Sequence, residues 1–302
     1  MTARTRSHVV AIGTVLAGLV LVGCANPERL DRTTTPEDSL ARVQGAAAKV
    51  TEARSARLSM TMRTTFAGEQ VAASTATTEG VYDYAAHKGQ MDTTIKTAGI
   101  PFRFTVRTLV IGSTVYIKTP DMPHGQETPA GVPLIPEEHH KPWAKLDLPK
   151  ELAGQNPLSP GLGPIPDDTG GDPTQALSYL KSATSKVERV GSEQVRGTPT
   201  TRYAVTFDAA KVAAQSPERL QGFVEDAGLA FPKPADVWID EQGRLRKIHY
   251  AVTLKVPEGM EATATQMTIE TTQELFDFGV TVKVTPPPAN QVEVVKPDQP
   301  TP

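Results

Sequence analysis

The sequence predicts an α+β fold: a curved, largely antiparallel β-sheet, shaped as a half-barrel, with helices packed on its concave face. Three observations carry that prediction. The elements run helix, several strands, loop, helix, strands, helix, strands, which is not the regular alternation of a doubly wound parallel fold. Most strand-like segments alternate apolar and polar residues, so one face of the sheet needs cover, and three amphipathic helical segments are available to supply it. Long antiparallel sheets curl as they twist, and a half-barrel closed over helices meets both demands.

The N-terminus is a separate matter from the fold. Arg4 and Arg6 precede an uncharged run from Val9 to Gly23 that is short for a membrane span and built like an export signal. It ends Leu21-Val22-Gly23-Cys24, the apolar, small, very small, cysteine order of a bacterial lipobox. Residues 1–23 are therefore expected to be a lipoprotein signal peptide cleaved after Gly23, with covalent diacylglycerol as the thioether partner of Cys24. Cys24 is the only cysteine of the 302 residues, so an exported chain free to form disulfides keeps its single thiol where lipidation needs it. Two acyl chains hold where a single one is marginal, which places the protein at the cell membrane, lipid-anchored on the extracytoplasmic face. The formal charge is −3, and removal of a segment holding two arginines and no acid leaves the mature chain more acidic still, so nucleic acid is not an expected partner.

Residues 24–35 read as a lipidated flexible tether without an apolar face. Thr35 then caps a helix, with Pro36 at its first position, Asp38 closing a Thr-x-x-Asp box, and Leu40, Val43, Ala47 and Val50 on one face. From Arg57 the period becomes two, with Leu58, Met60, Met62, Thr64 and Phe66 on one side. Further strands are expected at 71–78, 80–84, 90–96, 102–111 and 114–118, the last two joined by a type II′ turn at Gly112-Ser113. Residues 119–144 and 154–173 are dense in proline or glycine and read as loops, the second as a lid or a variable insertion. Asp172, Pro173 and Gln175 open a second helix that carries Ala176, Leu177 and Leu180 on its apolar face. Strands at 185–190 and 200–208 precede a third helical region at 208–227, whose second part is capped by Ser216. Strands at 235–240, 244–256, 263–276 and 280–284 complete the sheet, which the prolines from Pro286 end. The domain is thus expected to span 36–288, followed by a disordered tail at 289–302.

Few residues suggest chemistry. Ser178 and Lys181 have the Ser-x-x-Lys spacing of penicillin-recognising enzymes, but the Ser-Asp-Asn and Lys-Thr-Gly elements such enzymes need do not occur. No Gly-x-Ser-x-Gly or His-Glu-x-x-His is found either. His124, Glu137, Glu138, His139 and His140 read as a solvated loop rather than a metal site, and 167–171 lacks an EF-hand spacing. Met60, Met62, Met91 and Met267 lie in strand segments, where methionine fills a core or adapts to a flexible apolar ligand. Trp143 and Trp238 fit a cavity rim or ordinary packing equally. Catalytic residues, a metal and a cofactor are not expected.

Several spaced stretches resemble the actinobacterial LppX/LprG lipoprotein family, whose members adopt a LolA-like lipid-carrier fold. They are Gly112-Ser113-Thr114-Val115-Tyr116, Pro142-Trp143-Ala144-Lys145-Leu146-Asp147, Val190-Gly191, Val195-Arg196-Gly197, Thr200-Thr201-Arg202-Tyr203, Val237-Trp238-Ile239-Asp240, Gly243-Arg244-Leu245 and Phe276-Asp277-Phe278-Gly279. The resemblance implies a sheet curved around helices and a pocket for acyl chains of a membrane lipid or lipoglycan, and it implies no enzyme. Periodicity nominates Leu177, Leu180, Val237 and Ile239 as pocket residues. The competing expectation is a non-catalytic interaction or sensory module with a filled core that binds another envelope component.

Overall fold

A computed structural model describes residues 35–67, 73–99, 101, 103–118, 141–147, 180, 184–215, 228–256 and 264–294. All fall within one compact unit, Thr35–Pro302. The expected export signal at 1–23 with Gly23 and Cys24, the tether up to residue 34, the 154–173 loop and the second part of the third helix lie outside the described residues.

Helix α1, Pro36–Glu52, begins where its capping chemistry dictates. The Thr35 hydroxyl accepts from the Asp38 amide at 3.1 Å, and the Asp38 carboxylate accepts from the Thr35 amide at 3.2 Å. Val43, Ala46 and Val50 are fully buried, with Leu40 and Ala47 packed beside them. The strands follow as β1 Ser55–Ala67, β2 Ser74–Asp83, β3 Lys88–Thr97, β4 Arg103–Ile111, β5 Thr114–Lys118, β6 Trp143–Asp147, β7 Thr184–Val195, β8 Thr198–Phe207, β9 Ala235–Asp240, β10 Leu245–Lys255, β11 Gln266–Phe276 and β12 Val292–Val294. A short helix α2, Ala209–Gln215, sits between β8 and β9. The Asp208 carboxylate caps it by accepting from the amides of Ala210 and Lys211.

The twelve strands form one sheet in the order β12-β6-β5-β4-β3-β2-β1-β11-β10-β9-β8-β7. Every pairing is antiparallel except β12 with β6. Helix α1 packs against β1, β9, β10 and β7. Strands β1 and β7 are five places apart, about 24 Å on a flat sheet, whereas a helix is only about 10 Å across. One helix touches both because the sheet curls around it. The half-barrel expected from the sequence is therefore the architecture found, and the face holding the main core is its concave face.

Several details differ from the sequence reading. The expected strands at 71–78 and 80–84 meet in one strand, β2, over Ser74–Asp83, because Gly80 continues the ladder opposite Met91. Strands β7 and β8 extend toward each other until Val195 pairs with Thr198. Their two-residue turn has positive φ at both Arg196 (48°) and Gly197 (75°), the pattern of a type I′ turn. Residues 143 and 144 belong to a strand rather than a loop, since β6 pairs with β5 throughout. No regular element forms at 280–284. The tail is ordered at its start: Ala289–Gln291 make a 3-10 turn, and β12 adds to the edge of β6. Helix α2 does not join the concave core as expected of the third helix. Its Val212 makes a satellite cluster with Phe207, Leu229 and Phe231, which also border the main core.

Candidate functional site

The period-two segments set the lining of the concave face, because alternate side chains must point into the curl. Met62 and Leu58 come from β1, Tyr82 from β2, Met91 from β3, Phe104, Val106 and Val110 from β4, and Val115 and Ile117 from β5. Val237 and Ile239 of β9 and Ile248, Tyr250, Val252 and Leu254 of β10 continue the same surface across β11 to the strands that α1 packs against. Apart from the small Val212 cluster, the buried apolar residues form one connected group that reaches from the strands α1 packs against most extensively across to β5.

Three of the four nominated pocket residues are described, and all three are core residues. Leu180, Val237 and Ile239 are each 0% exposed and belong to this cluster. Leu177 lies outside the described residues, as do Ser178, Lys181, His124 and the acidic and histidine residues of 137–140. Met60, Met62, Met91 and Met267 are all buried on the concave side. Among the described residues, no group of three or more His, Cys, Asp or Glu side chains is placed to hold a metal. None of the described helices is long and apolar enough to cross a membrane.

The concave face is not wholly apolar, and its hydroxyls were missed by the sequence reading. Thr78 and Thr93 stand opposite each other on β2 and β3 with their hydroxyls hydrogen-bonded at 2.9 Å. Thr108 of β4 is 1% exposed, and among the described residues its Oγ1 has no hydrogen-bond partner. The signal was available, since period two from Phe104 through Val106 places Thr108 on the inner face. Two glycines shape the same region. A Cβ at Gly80 would stand 2.8 Å from Met91 Cγ, so the Met91 side chain lies directly over that glycine. Tyr82 lies likewise over Gly89.

Trp238 belongs to the other side of the sheet. It alternates with Val237 and Ile239 and so faces outward, yet it is only 5% exposed because charged side chains cover it. The Arg202 guanidinium lies 5.3 Å and the Lys247 ammonium 4.8 Å from its ring centroid. Arg202 is fixed by a two-pronged pair with Asp236, both contacts at 2.9 Å. The indole Nε1–H donates to Glu193 at 2.9 Å, and this bond, followed by the one from Arg202, holds the Glu193 carboxyl below its ordinary range. A depressed folded value means that the bond's stabilisation is present above the unfolded value of about 4.3 and is lost as pH falls through the folded one. Trp238 emission should therefore change with a midpoint below about 4.3, and Glu193→Gln should abolish that step. Emission that stays unchanged down to global acid unfolding would contradict the assignment.

Opposite the start of α1, the β9–β10 hairpin closes on a buried ionic cluster. Asp240 accepts from the Arg244 amide and Nε at 2.9 Å each, and Arg42 of α1 donates to the Asp240 carbonyl at 2.8 Å. This contact ties the helix to the β9–β10 hairpin.

No protein-family model matches the sequence, and no curated protein matches it. Solved structures do match. LprF from Mycobacterium bovis is 14% identical with a TM-score of 0.41, covering 84% of this chain and 98% of its own. The lipoprotein LppX from Mycobacterium tuberculosis is 13% identical with a TM-score of 0.41, covering 83% and 100%. A LolA superfamily protein from Nitrosomonas europaea is 9% identical with a TM-score of 0.22, covering 80% and 92%.

Proposed function

We propose that this chain is an envelope lipoprotein, held at the outer side of the cytoplasmic membrane by diacylated Cys24, that binds and carries acyl chains of a membrane lipid or lipoglycan on its concave face. One observation carries the reading. The apolar concave surface continues from the strands that α1 packs against most extensively into β2, β3, β4 and β5, where a pliable methionine, Met91, stands among aromatic and β-branched residues. Methionine adapts to irregular flexible chains, and apolar area removed from water contributes about 25 cal/mol per Å² before the costs of ordering the ligand. The anchor would keep the domain beside its donor membrane. No covalent step is required, and the reading is that of a binding protein rather than an enzyme.

A second reading has its own observation. Leu180, Val237 and Ile239 are fully buried in the main core, as they would be in a module whose core is filled and whose outer loops contact another envelope component.

Lipid analysis separates the two. Residues 25–302, produced without the lipidated cysteine, are extracted with organic solvent and the extract analysed by mass spectrometry against a matched control protein. Stoichiometric co-purifying acyl lipid is expected. Repeated lipid-free preparations that also take up no added acyl lipid would end the carrier reading in favour of the interaction module.

A further inference from the structure

We infer that Thr108 is the specificity-determining hydrogen-bond donor of the concave face, set to meet an ester carbonyl of the bound lipid. The inference rests on the acyl-ligand reading above. The register places Leu275, Leu58, Gly80, Met91, Thr108 and Ile117 in one row across β11, β1, β2, β3, β4 and β5. Thr108 supplies the only hydroxyl among those six residues, and it is buried with no hydrogen-bond partner among the described residues. In the adjoining row the Thr78 and Thr93 hydroxyls satisfy each other, whereas Thr108 has a methionine, Met91, opposite it on β3. A buried donor left without an acceptor is destabilising, and a group that brings an acceptor to it recovers the bond.

The neighbour of Thr108 in the row explains how an acceptor reaches it. Met91 is directly opposite, and its side chain lies over Gly80, where no Cβ stands in the way. An unbranched thioether chain on a glycine floor changes rotamer at little cost, whereas a branched residue would be locked in place. Rotation of Met91 opens the path to the Thr108 hydroxyl from the middle of the apolar row. A hydrocarbon tail alone offers no acceptor there. The carbonyl at the head of an ester-linked chain does, and an ether linkage of the same length provides only a weaker acceptor without the carbonyl.

The test compares two ligands that differ in that carbonyl. The full chain, held in amphipol, is loaded with pyrene-labelled diacyl phosphatidylcholine, which is then displaced by unlabelled diacyl or dialkyl-ether phosphatidylcholine of equal chain length. Wild type should prefer the diacyl competitor by about five- to tenfold, in keeping with one buried hydrogen bond. Thr108→Ser, which keeps the hydroxyl, should retain the preference. Thr108→Val, of similar size, should bring the two competitors within about twofold, through weaker diacyl binding, while its thermal midpoint stays at or above that of wild type. Equal affinity for the two competitors in wild type, or a diacyl preference that survives in Thr108→Val, would overturn the role of Thr108 and leave acyl binding standing. Failure of wild type to bind either lipid would overturn the acyl-ligand reading itself, and this inference with it.

Discussion

Asp240→Ala is expected to lower unfolding stability by roughly 3–5 kcal/mol, read as a drop in the urea midpoint at an unchanged slope. The reason lies in what the substitution leaves behind. Asp240 is fully buried, and its carboxylate oxygens take the Arg244 amide and guanidinium, with an Arg246 nitrogen 3.9 Å away. Arg244 is partly exposed and can turn to water, but Arg246 cannot: it is 7% exposed, held by a bond to the Thr198 hydroxyl and covered by Phe278. Burial already lowers the pKa of Arg246 and Asp240 counters it, so without that carboxylate a desolvated cation loses its nearest counter-charge. The loss also spreads to α1, because the hairpin backbone that accepts from Arg42 is shaped by the same carboxylate. Adding Arg246→Met to Asp240→Ala should recover part of the loss, since an apolar chain of similar reach has no charge to strand. A loss under about 1 kcal/mol in the single variant, or no recovery in the double one, would show that the cluster is not ionically coupled in this way.

What the sequence discloses of this fold follows the range of the interactions involved. Helix α1 is legible to its first residue because Thr35, Pro36 and Asp38 settle its start among themselves. The β4–β5 hairpin is legible for the same reason: Gly112 alone supplies the positive φ, 63°, that a two-residue II′ turn needs at its first position. The β7–β8 turn is equally tight but is made by Arg196 and Gly197, and an arginine at a left-handed position gives no turn signal in sequence. Its position is set by the sheet on either side. Strands β6 and β12 are harder still. They are short and flanked by prolines, and they become strands through partners far along the chain: β5 for β6, and β6 for β12.

The candidate site shows the same division. Inward orientation of Val237, Ile239, Met91 and Thr108 follows from period two, which a reader of the sequence can count. That Trp238 faces the outside follows from the same count, though its burial under Arg202 and Lys247 depends on β8 and β10. Nothing local reveals that Thr108 lacks a hydrogen-bond partner among the described residues while Thr93 has one. The difference is made by what stands opposite on the next strand, a methionine in one case and a threonine in the other.

Gly89→Ala provides the second large effect and tests whether the concave face is built on its two glycines. A Cβ at position 89 would stand 2.5 Å from Tyr82 Cδ2 and 2.7 Å from the Val81 carbonyl oxygen. The ring has nowhere to go: Tyr82 is 2% exposed and lies against Tyr84, ring centroids 5.3 Å apart. The carbonyl belongs to the β2 backbone and cannot rotate without breaking the ladder with β3. Overpacking of this kind costs about 1–3 kcal/mol where side chains can shift, and the upper end is expected here because one of the two clashes is with backbone. Gly45 supplies the internal control. It lies in the exposed middle of α1 with nothing within 4 Å of its added Cβ, so Gly45→Ala should gain about 0.5–1 kcal/mol through helix propensity. The same added methyl group is thus expected to move the unfolding midpoint in opposite directions at the two positions. A neutral Gly89→Ala would mean that β2 and β3 can separate locally, and that the aromatic and methionine side chains over the two glycines are not what fixes the floor of the concave face.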